Sequence, residues 1–232
     1  MADGAAEACV CILFYGAEEK HFKLAQRVLN APMRCLAERN IEFRFGCNAV
    51  GGETTAFLTQ QIAEHFHNAV LFHNAENIMK YPMMRLMFHS PPVRAPITLW
   101  FDHDSYLAPE LNANNWFDRV ALQLNGCDMI GSVYQAQLPA EQETWALKQP
   151  WYNETFARKY MTYSSGGWWA IKTSLLQQYD WPPSDFKQKH GDRVLGSLFH
   201  HQSLSLCHFR DGVCVNANDS GVEAAEIGRA HV

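Results

Sequence analysis

The sequence predicts an α/β fold: one domain whose mostly parallel sheet carries helices on both faces. Three observations lead there. Continuous apolar runs of strand length recur at Cys9–Tyr15, Ile41–Phe45, Ala69–Phe72 and Ile97–Phe101. Stretches with apolar residues at helical spacing separate them, so about the first hundred residues read β-α-β-α-β-α-β, the alternation that builds parallel sheets. The chain has 232 residues, enough for a large core, and its 47% hydrophobic against 19% charged content excludes a disordered polymer.

Each element follows from local pattern. Cys9–Tyr15 has no polar interruption and reads as a strand buried on both faces, ended by Gly16. Lys20–Arg39 carries Phe22, Leu24, Ala25, Val28, Leu29 and Leu36 on a helical stripe, with Pro32 set to break or kink it. After the Ile41–Phe45 strand and the Gly51-Gly52 turn, Thr54 or Thr55 is positioned to cap a helix reaching about His67. Following the Ala69–Phe72 strand, a loop from His73 leads into a helix with Pro82 in its first turn. Met79, Met83, Met84 and Met87 lie at helical spacing and read as core. Pro91-Pro92 and Pro96 precede the fourth strand, Ile97–Phe101. Beyond it the pattern is mixed. Asn115–Leu124 reads as helix, Asp128–Tyr134 as strand, and Pro139–Pro150 as loop or short helix. Gly166–Ile171 reads as a glycine turn entering a strand, followed by helices at Thr173–Tyr179 and Arg193–His201 and a last strand at 213–215.

Net charge is −5, so no global positive field recruits nucleic acid or an acidic membrane. No apolar run approaches the ~18 residues that span a bilayer, and residues 1–8 lack the basic start of a secretory signal. The seven cysteines include no Cys-x-x-Cys pair and sit mostly in apolar runs, which predicts buried free thiols in a reducing, cytoplasmic setting. The expected organisation is a frayed segment 1–8, a domain over 9–216 and a tail over 217–232. Within that tail Ile227-Gly-Arg-Ala-His-Val232 resembles a translated sequencing adapter, which implies a gene recovered by environmental sequencing.

Chemistry concentrates at Asp102-His103-Asp104, directly after the fourth strand. Ligands of open α/β sheets collect at the carboxyl ends of strands. On an extended segment residues i and i+2 share a side, so the two carboxylates are set to hold one hard cation, Mg²⁺ or Mn²⁺, together with substrate phosphate oxygens. Asp-x-Asp alone is a weak pattern and also describes a solvated turn; its position after a buried strand raises its specificity.

The run Leu99-Trp-Phe-Asp-His-Asp-Ser-Tyr106 resembles the metal-binding Asp-x-Asp segment of GT-A glycosyltransferases, particularly family-2-like members. Ser165-Gly-Gly-Trp-Trp-Ala-Ile-Lys-Thr-Ser-Leu-Leu176 is similar to the family's glycine pair leading into an aromatic strand, and His190-Gly-Asp192 to the acidic segment that opens the acceptor-side helix. The three occur in the family's order and extend over roughly residues 9–216. The resemblance implies a Rossmann-like GT-A fold, a UDP-sugar donor such as UDP-glucose, and Mn²⁺ or Mg²⁺. It implies that Asp104 coordinates the metal and that Asp102 binds the ribose or the same metal. Tyr15 and Gly16 would approach the base, Lys80 and Arg85 the nucleotide, and Gly167 would line the donor site. Asp192 would be the catalytic base of an inverting enzyme. His208 would supply a third metal ligand, although a histidine beside apolar residues is more often a packed side chain. Many relatives carry Glu-Asp where this chain has Gly191-Asp192, so the base role rests on one carboxylate.

The acceptor stays open between two classes. One is a 5-hydroxymethyl pyrimidine in phage DNA, with Arg158-Lys159 and Lys187-Gln-Lys189 available for phosphates and the host bacterial cytoplasm as location. The other is a saccharide or small molecule resting on Trp151, Trp168 or Trp181. Of the adjacent Trp168 and Trp169, one is expected in the core and the other free to stack. Two further classes compete: a nucleotidyltransferase, disfavoured because Tyr15-Gly-Ala-Glu-Glu-Lys20 is acidic rather than a glycine-rich basic phosphate loop, and a non-catalytic nucleotide-sugar-binding module.

Overall fold

Period-2 alternation in the first strand sets the architecture. In the computed structural model, which describes residues 5–153, 155, 160–187 and 189–217, β1 (Ala8–Tyr15) lies in the middle of a seven-stranded sheet. Val10, Ile12 and Phe14 enter one core cluster, and Cys9, Cys11 and Leu13 enter another on the opposite face. A strand with no polar face is stable only when both faces are covered, and helices cover both.

The first cluster packs β1 against α1 (Glu19–Val28), α2 (Ala31–Leu36), α3 (Gly52–Glu64) and α5 (Ala113–Gly126), through side chains such as Leu29, Met33, Leu58 and Trp116. The second packs it against α4 (Lys80–His89), α7 (Thr173–Gln178) and α8 (Gly191–His201), through Met83, Met87, Leu175 and Leu198. The strand order is β3-β2-β1-β4-β7-β6-β8, with β2 (Ile41–Asn48), β3 (Ala69–Asn74), β4 (Ile97–Asp102), β6 (Met129–Ala136), β7 (Met161–Lys172) and β8 (Leu206–His208). A separate ribbon pairs β5 (Tyr106–Leu107) with β9 (Val213–Cys214). α6 (Ala140–Ala146) completes the set.

β1, β2, β3 and β4 are mutually parallel where paired, as their alternation with helices predicts. β7 runs antiparallel to both β4 and β6, so the sheet is mixed beyond β4. The switch point falls between β1 and β4: β2 follows β1 on one side and β4 lies on the other.

Several expectations are corrected. The helix expected over Lys20–Arg39 is two: α1 ends at Val28, and Asn30 caps α2 by accepting from the Met33 amide, with Pro32 in the first turn where its missing N–H costs nothing. Gly51, not Thr54 or Thr55, precedes α3; the Thr55 hydroxyl instead donates to the Gly51 carbonyl. β7 starts five residues before Gly166 and is paired on both sides. The cysteines are not all thiols. Cys127 and Cys207 form a disulfide with a Cα–Cα distance of 6.2 Å, joining the end of α5 to the edge strand β8. Cys9, Cys11, Cys35, Cys47 and Cys214 are free. Met83, Met84 and Met87 are core as expected, whereas Met79 is 45% exposed. No helix among the described residues is long and apolar enough to cross a membrane. The adapter-like stretch and Arg158-Lys159 lie outside the described residues.

The disulfide closes a sequence separation of 80 residues. Reduction, or Cys207→Ser, is expected to lower unfolding stability by about 2–4 kcal/mol, read from the denaturant midpoint with and without reductant.

Candidate active site at the β1–β4 switch point

The carboxyl ends of β1, β2 and β4 open into a cavity of about 300 Å³ whose walls include Tyr15, Asn48, Asn77, Lys80, Asp102 and Asp104. Asp102 is the last residue of β4, in register with Leu13 of β1. His103 and Asp104 form a turn rather than continuing the strand. The two carboxylates still share the cavity, but by chain reversal and not by strand alternation.

His103 makes that reversal. Its side chain is 1% exposed, its amide donates to the Leu13 carbonyl at 3.1 Å, and its Nδ1 accepts from the Tyr15 amide at 3.2 Å. Burial pushes its pKa down to about 3, with a neighbouring charge on His21 acting in the same direction, so the ring is neutral and ties the end of β1 to the turn after β4. The Tyr15 ring packs tilted against the His103 ring, centroids 4.5 Å apart, and is 44% exposed at the cavity mouth. Gly16 follows with a φ of 83° and packs against the His21 ring.

The electrostatics centre on the two aspartates. Burial pushes Asp104 up to about 6, and the Asp102 charge pushes it further the same way. Burial also raises Asp102, against the pull of Lys80. Lys80 Nζ donates to Asp102 Oδ2 at 2.5 Å and to the Gly166 carbonyl at 2.8 Å, and Trp100 Nε1 donates to Asp102 Oδ1 at 3.1 Å. Asp104 accepts a longer contact from Ser105 Oγ at 3.4 Å, and its carbonyl accepts from the Ala217 amide at 2.7 Å.

A chain of asparagines aims Lys80. Asn48, ending β2, accepts from the Ile78 amide at 2.9 Å and donates to Asn77 Oδ1 at 3.0 Å; Asn77 accepts from the Met79 amide at 2.9 Å. Met79 then sits at φ 74°, ψ 164°, a region nearly reserved for glycine, and Lys80 opens α4 pointing into the cavity.

Asp192, in the first turn of α8, meets this group across Gly166. A Cβ on Gly166 would lie 3.2 Å from Lys80 Nζ and 3.6 Å from Asp192 Cβ. Asp192 also borders a second, much smaller void with Lys80, Tyr81, Trp169 and Trp181. Tyr81 explains the glycine before it. A Cβ at Gly191 would lie 2.1 Å from the Tyr81 ring, so the phenol fills the space a residue-191 side chain would need. The backbone of Gly191 and Asp192 hydrogen-bonds to that phenol, whose pKa burial raises most and the Asp192 and Asp102 charges raise further.

Four sequence expectations fall elsewhere. His208 is on β8, three places from β4 in the sheet order, or about 14 Å at ordinary strand spacing. Its Nδ1 accepts from the Val133 amide at 3.2 Å, and it borders a different hollow with Arg119 and Asp211. It is therefore not brought to the aspartates, and no cluster of three or more His, Cys, Asp or Glu side chains suited to a metal ion occurs among the described residues. Arg85, one turn and a half beyond Lys80, leaves the cavity and pairs with Asp180 Oδ1 at 2.9 Å and the Pro182 carbonyl at 2.8 Å. Gly167 does not line the cavity; a Cβ there would strike Asn216 Oδ1 and Ser105 Oγ, so it lets the 213–217 segment close against Asp104. Trp151, Trp168, Trp169 and Trp181 are all at most 5% exposed, which removes them as open sugar platforms.

Sequence reasoning missed Tyr81, Asn48, Asn77 and the structural role of His103. Asn48 had no local signal, because its partners Asn77 and Ile78 lie about thirty residues on, and the local turn Asn77 makes with Met79 does not reveal that it also meets Asn48. His103 had one: a residue between two metal-type aspartates, one position past a buried strand, must be turned inward if both aspartates face out.

No family model and no curated protein matches the chain by sequence. Its structure is similar to solved ones. The mannosyltransferase PcManGT from Pyrobaculum calidifontis, in complex with GDP-Man and Mn²⁺, aligns with TM-score 0.56 at 13% identity over 90% of this chain and 56% of that one. TarS 1–349 from S. aureus, in complex with UDP-GlcNAc, aligns with TM-score 0.52 at 13% identity over 88% and 56%. A nucleoside-diphosphate-sugar pyrophosphorylase from Vibrio cholerae RC9 aligns with TM-score 0.52 at 12% identity over 91% and 96%. The chain has a GT-A-like fold. It spans less than three fifths of the length of the glycosyltransferase chains it aligns with.

Two predictions test this geometry. An acid whose pKa is raised by folding costs nothing below its unfolded pKa, near 4, and an increasing amount as pH rises through its folded value, here about 6. Asp104→Asn should therefore raise thermal stability at pH 8 more than at pH 4, by ~1 kcal/mol after screening at the open cavity. Equal effects at both pH values would refute the coupling. Gly191→Ala should destabilise by about 1–3 kcal/mol through collision with Tyr81, and Tyr81→Ala should relieve that added strain in the double variant.

Proposed function

We propose that this chain is a metal-dependent glycosyltransferase that moves a sugar from a nucleotide-sugar to a hydroxyl acceptor with inversion. The observation that carries the reading is the placement of Asp102 and Asp104 in one cavity at the β1–β4 switch point, with Asp192 across Gly166. Open α/β sheets bind nucleotides at such a point. The fold likeness to enzymes crystallised with UDP-GlcNAc and with GDP-Man and Mn²⁺ supports the same substrate class.

The donor set fits a hard divalent cation. Two carboxylates, each raised by burial and Asp104 raised again by its neighbour, form a site short of positive charge, and all its side-chain ligands are oxygens. Asp102 and Asp104 would hold Mn²⁺ or Mg²⁺, which when bound neutralises charge on the departing diphosphate. Tyr15, exposed at the mouth, is the surface offered to the nucleotide base. In the transfer, the acceptor oxygen bonds to the anomeric carbon as the bond from that carbon to the diphosphate oxygen breaks. The hydroxyl proton passes to Asp192, and the nucleoside diphosphate leaves. Asp192 stands at the first turn of α8 without a carboxylate at position 191 to share the proton.

A nucleotide-sugar pyrophosphorylase is the second reading, because that fold neighbour aligns as well as TarS does, with TM-score 0.52 for each. Against it, the turn after β1 offers Glu18 and Glu19, and Lys20 and Lys23 are ion-paired with them. The acceptor remains a choice between hydroxymethylated DNA and a saccharide or other small molecule.

The deciding experiment incubates the protein with UDP- and GDP-sugars, Mn²⁺, and a panel containing hydroxymethylated DNA and saccharides. Metal-dependent transfer to an acceptor is expected, falling on the order of 10²-fold in Asp102→Asn or Asp104→Asn and roughly 10²–10⁴-fold in Asp192→Asn. Formation of nucleoside triphosphate from pyrophosphate and the nucleotide-sugar would establish the second reading instead. Nucleotide-sugar binding with no turnover on the whole panel would make the chain a binding module.

A further inference from the structure

Lys80 is set on the seat that a divalent cation needs. Its ammonium holds Asp102 Oδ2 at 2.5 Å while Trp100 Nε1 holds Oδ1 at 3.1 Å, so both oxygens of Asp102 already have partners. The Gly166 carbonyl completes the ammonium's shell at 2.8 Å, and the Trp100 ring lies 5.6 Å from Nζ. Lys80 is three-quarters buried, and the strained Met79 backbone directly before it is what delivers it there. Asp104, in contrast, receives a 3.4 Å contact from Ser105 Oγ and a bond from its own backbone amide, and no ion pair to it occurs among the described residues. One aspartate is thus capped by an internal cation and the other stands ready.

We propose that Lys80 is a place-holder cation. It neutralises Asp102 in the unloaded protein, yields Oδ2 to the arriving divalent ion, and then turns to the diphosphate of the donor. The proposal rests on the metal-dependent reading above. Its physical basis is that an ammonium and a divalent ion cannot share one carboxylate oxygen without close repulsion. A lysine has the means to move aside: a flexible four-carbon stem and a point charge without fixed donor planes. The displaced ammonium loses its contact with Asp102, and the donor's phosphate oxygens, arriving in the same cavity, offer it a replacement. Metal and donor loading are then coupled: the ion releases the lysine, and the donor receives it. Gly166 belongs to the device because a side chain there would press on Nζ, a Cβ lying 3.2 Å from it, while meeting Asp192 at ordinary contact distance.

The test measures Mn²⁺ affinity by electron paramagnetic resonance and UDP affinity by calorimetry in saturating Mn²⁺, for wild type, Lys80→Met, Gly166→Ala and Lys20→Met, each checked for folding by circular dichroism. Place-holding predicts opposite signs for Lys80→Met. Mn²⁺ binds about tenfold tighter because no ammonium must be displaced, and UDP binds about tenfold weaker because the phosphates lose their partner. Gly166→Ala keeps the charge but presses on Nζ, shifting it by a few tenths of an ångström, and should tighten Mn²⁺ in the same direction by less than Lys80→Met does. Lys20→Met removes a cation that does not touch Asp102, and should leave Mn²⁺ affinity unchanged. Mn²⁺ affinity unaltered or weakened in Lys80→Met overturns the proposal while leaving the glycosyltransferase reading intact. An equal gain in Lys20→Met would reduce the effect to general charge and overturn it as well. Absence of Mn²⁺ binding in both wild type and Lys80→Met would remove the metal-dependent reading and the place-holder together. If Lys80→Met alone misfolds, the Gly166→Ala result decides.

Discussion

Two carboxylates held in a half-closed cavity repel each other and lose water, and the site depends on how that cost is met. Asp102 meets it with Lys80 and Trp100; Asp104 does not, and its pKa rises to about 6. Such an arrangement weakens the folded protein, as functional sites commonly do. It persists because the sheet beneath it is over-determined. β1 is buried on both faces, β4 is paired on both sides, and neutral His103 ties their ends together.

From that constraint the other features of the cleft follow. The asparagine chain Asn48–Asn77 holds the start of α4 at the end of β2, from which Lys80 reaches Asp102 past the end of the intervening β1. A Cβ at 166 would press on Lys80 Nζ at 3.2 Å, and glycine is needed at 191, where Tyr81 enters. The glycine at 191 is therefore coupled to a buried tyrosine one residue after Lys80. The 213–217 segment closes the other flank, its Ala217 amide donating to the Asp104 carbonyl.

The fold likeness and the geometry have different reach. At 12–13% identity, the likeness to the mannosyltransferase, TarS and the pyrophosphorylase establishes shape. A mannosyltransferase, TarS and a nucleoside-diphosphate-sugar pyrophosphorylase share that shape. The proposal of sugar transfer rests instead on local features of this chain, an acidic turn after β1 and a carboxylate at the start of α8.

By itself the sequence determined the parallel half of the sheet, because uninterrupted apolar runs such as Cys9–Tyr15 have no stable home except a strand covered on both sides. It also placed Asp102 directly at the end of a strand read over Ile97–Phe101 and Asp192 directly before a helix read over Arg193–His201; the structure extends both elements to include these residues. Only the tertiary structure decided which side chains meet. Lys80 reaches Asp102 but Arg85, on the same helix, reaches Asp180; His208 lands three strands away; four tryptophans are buried; two cysteines pair across 80 residues. The reason is one of range. Periodicity reports which way a residue faces within its own element, whereas these partnerships depend on strand order and on turns such as Met79 and His103, whose conformations are imposed by contacts distant in the chain.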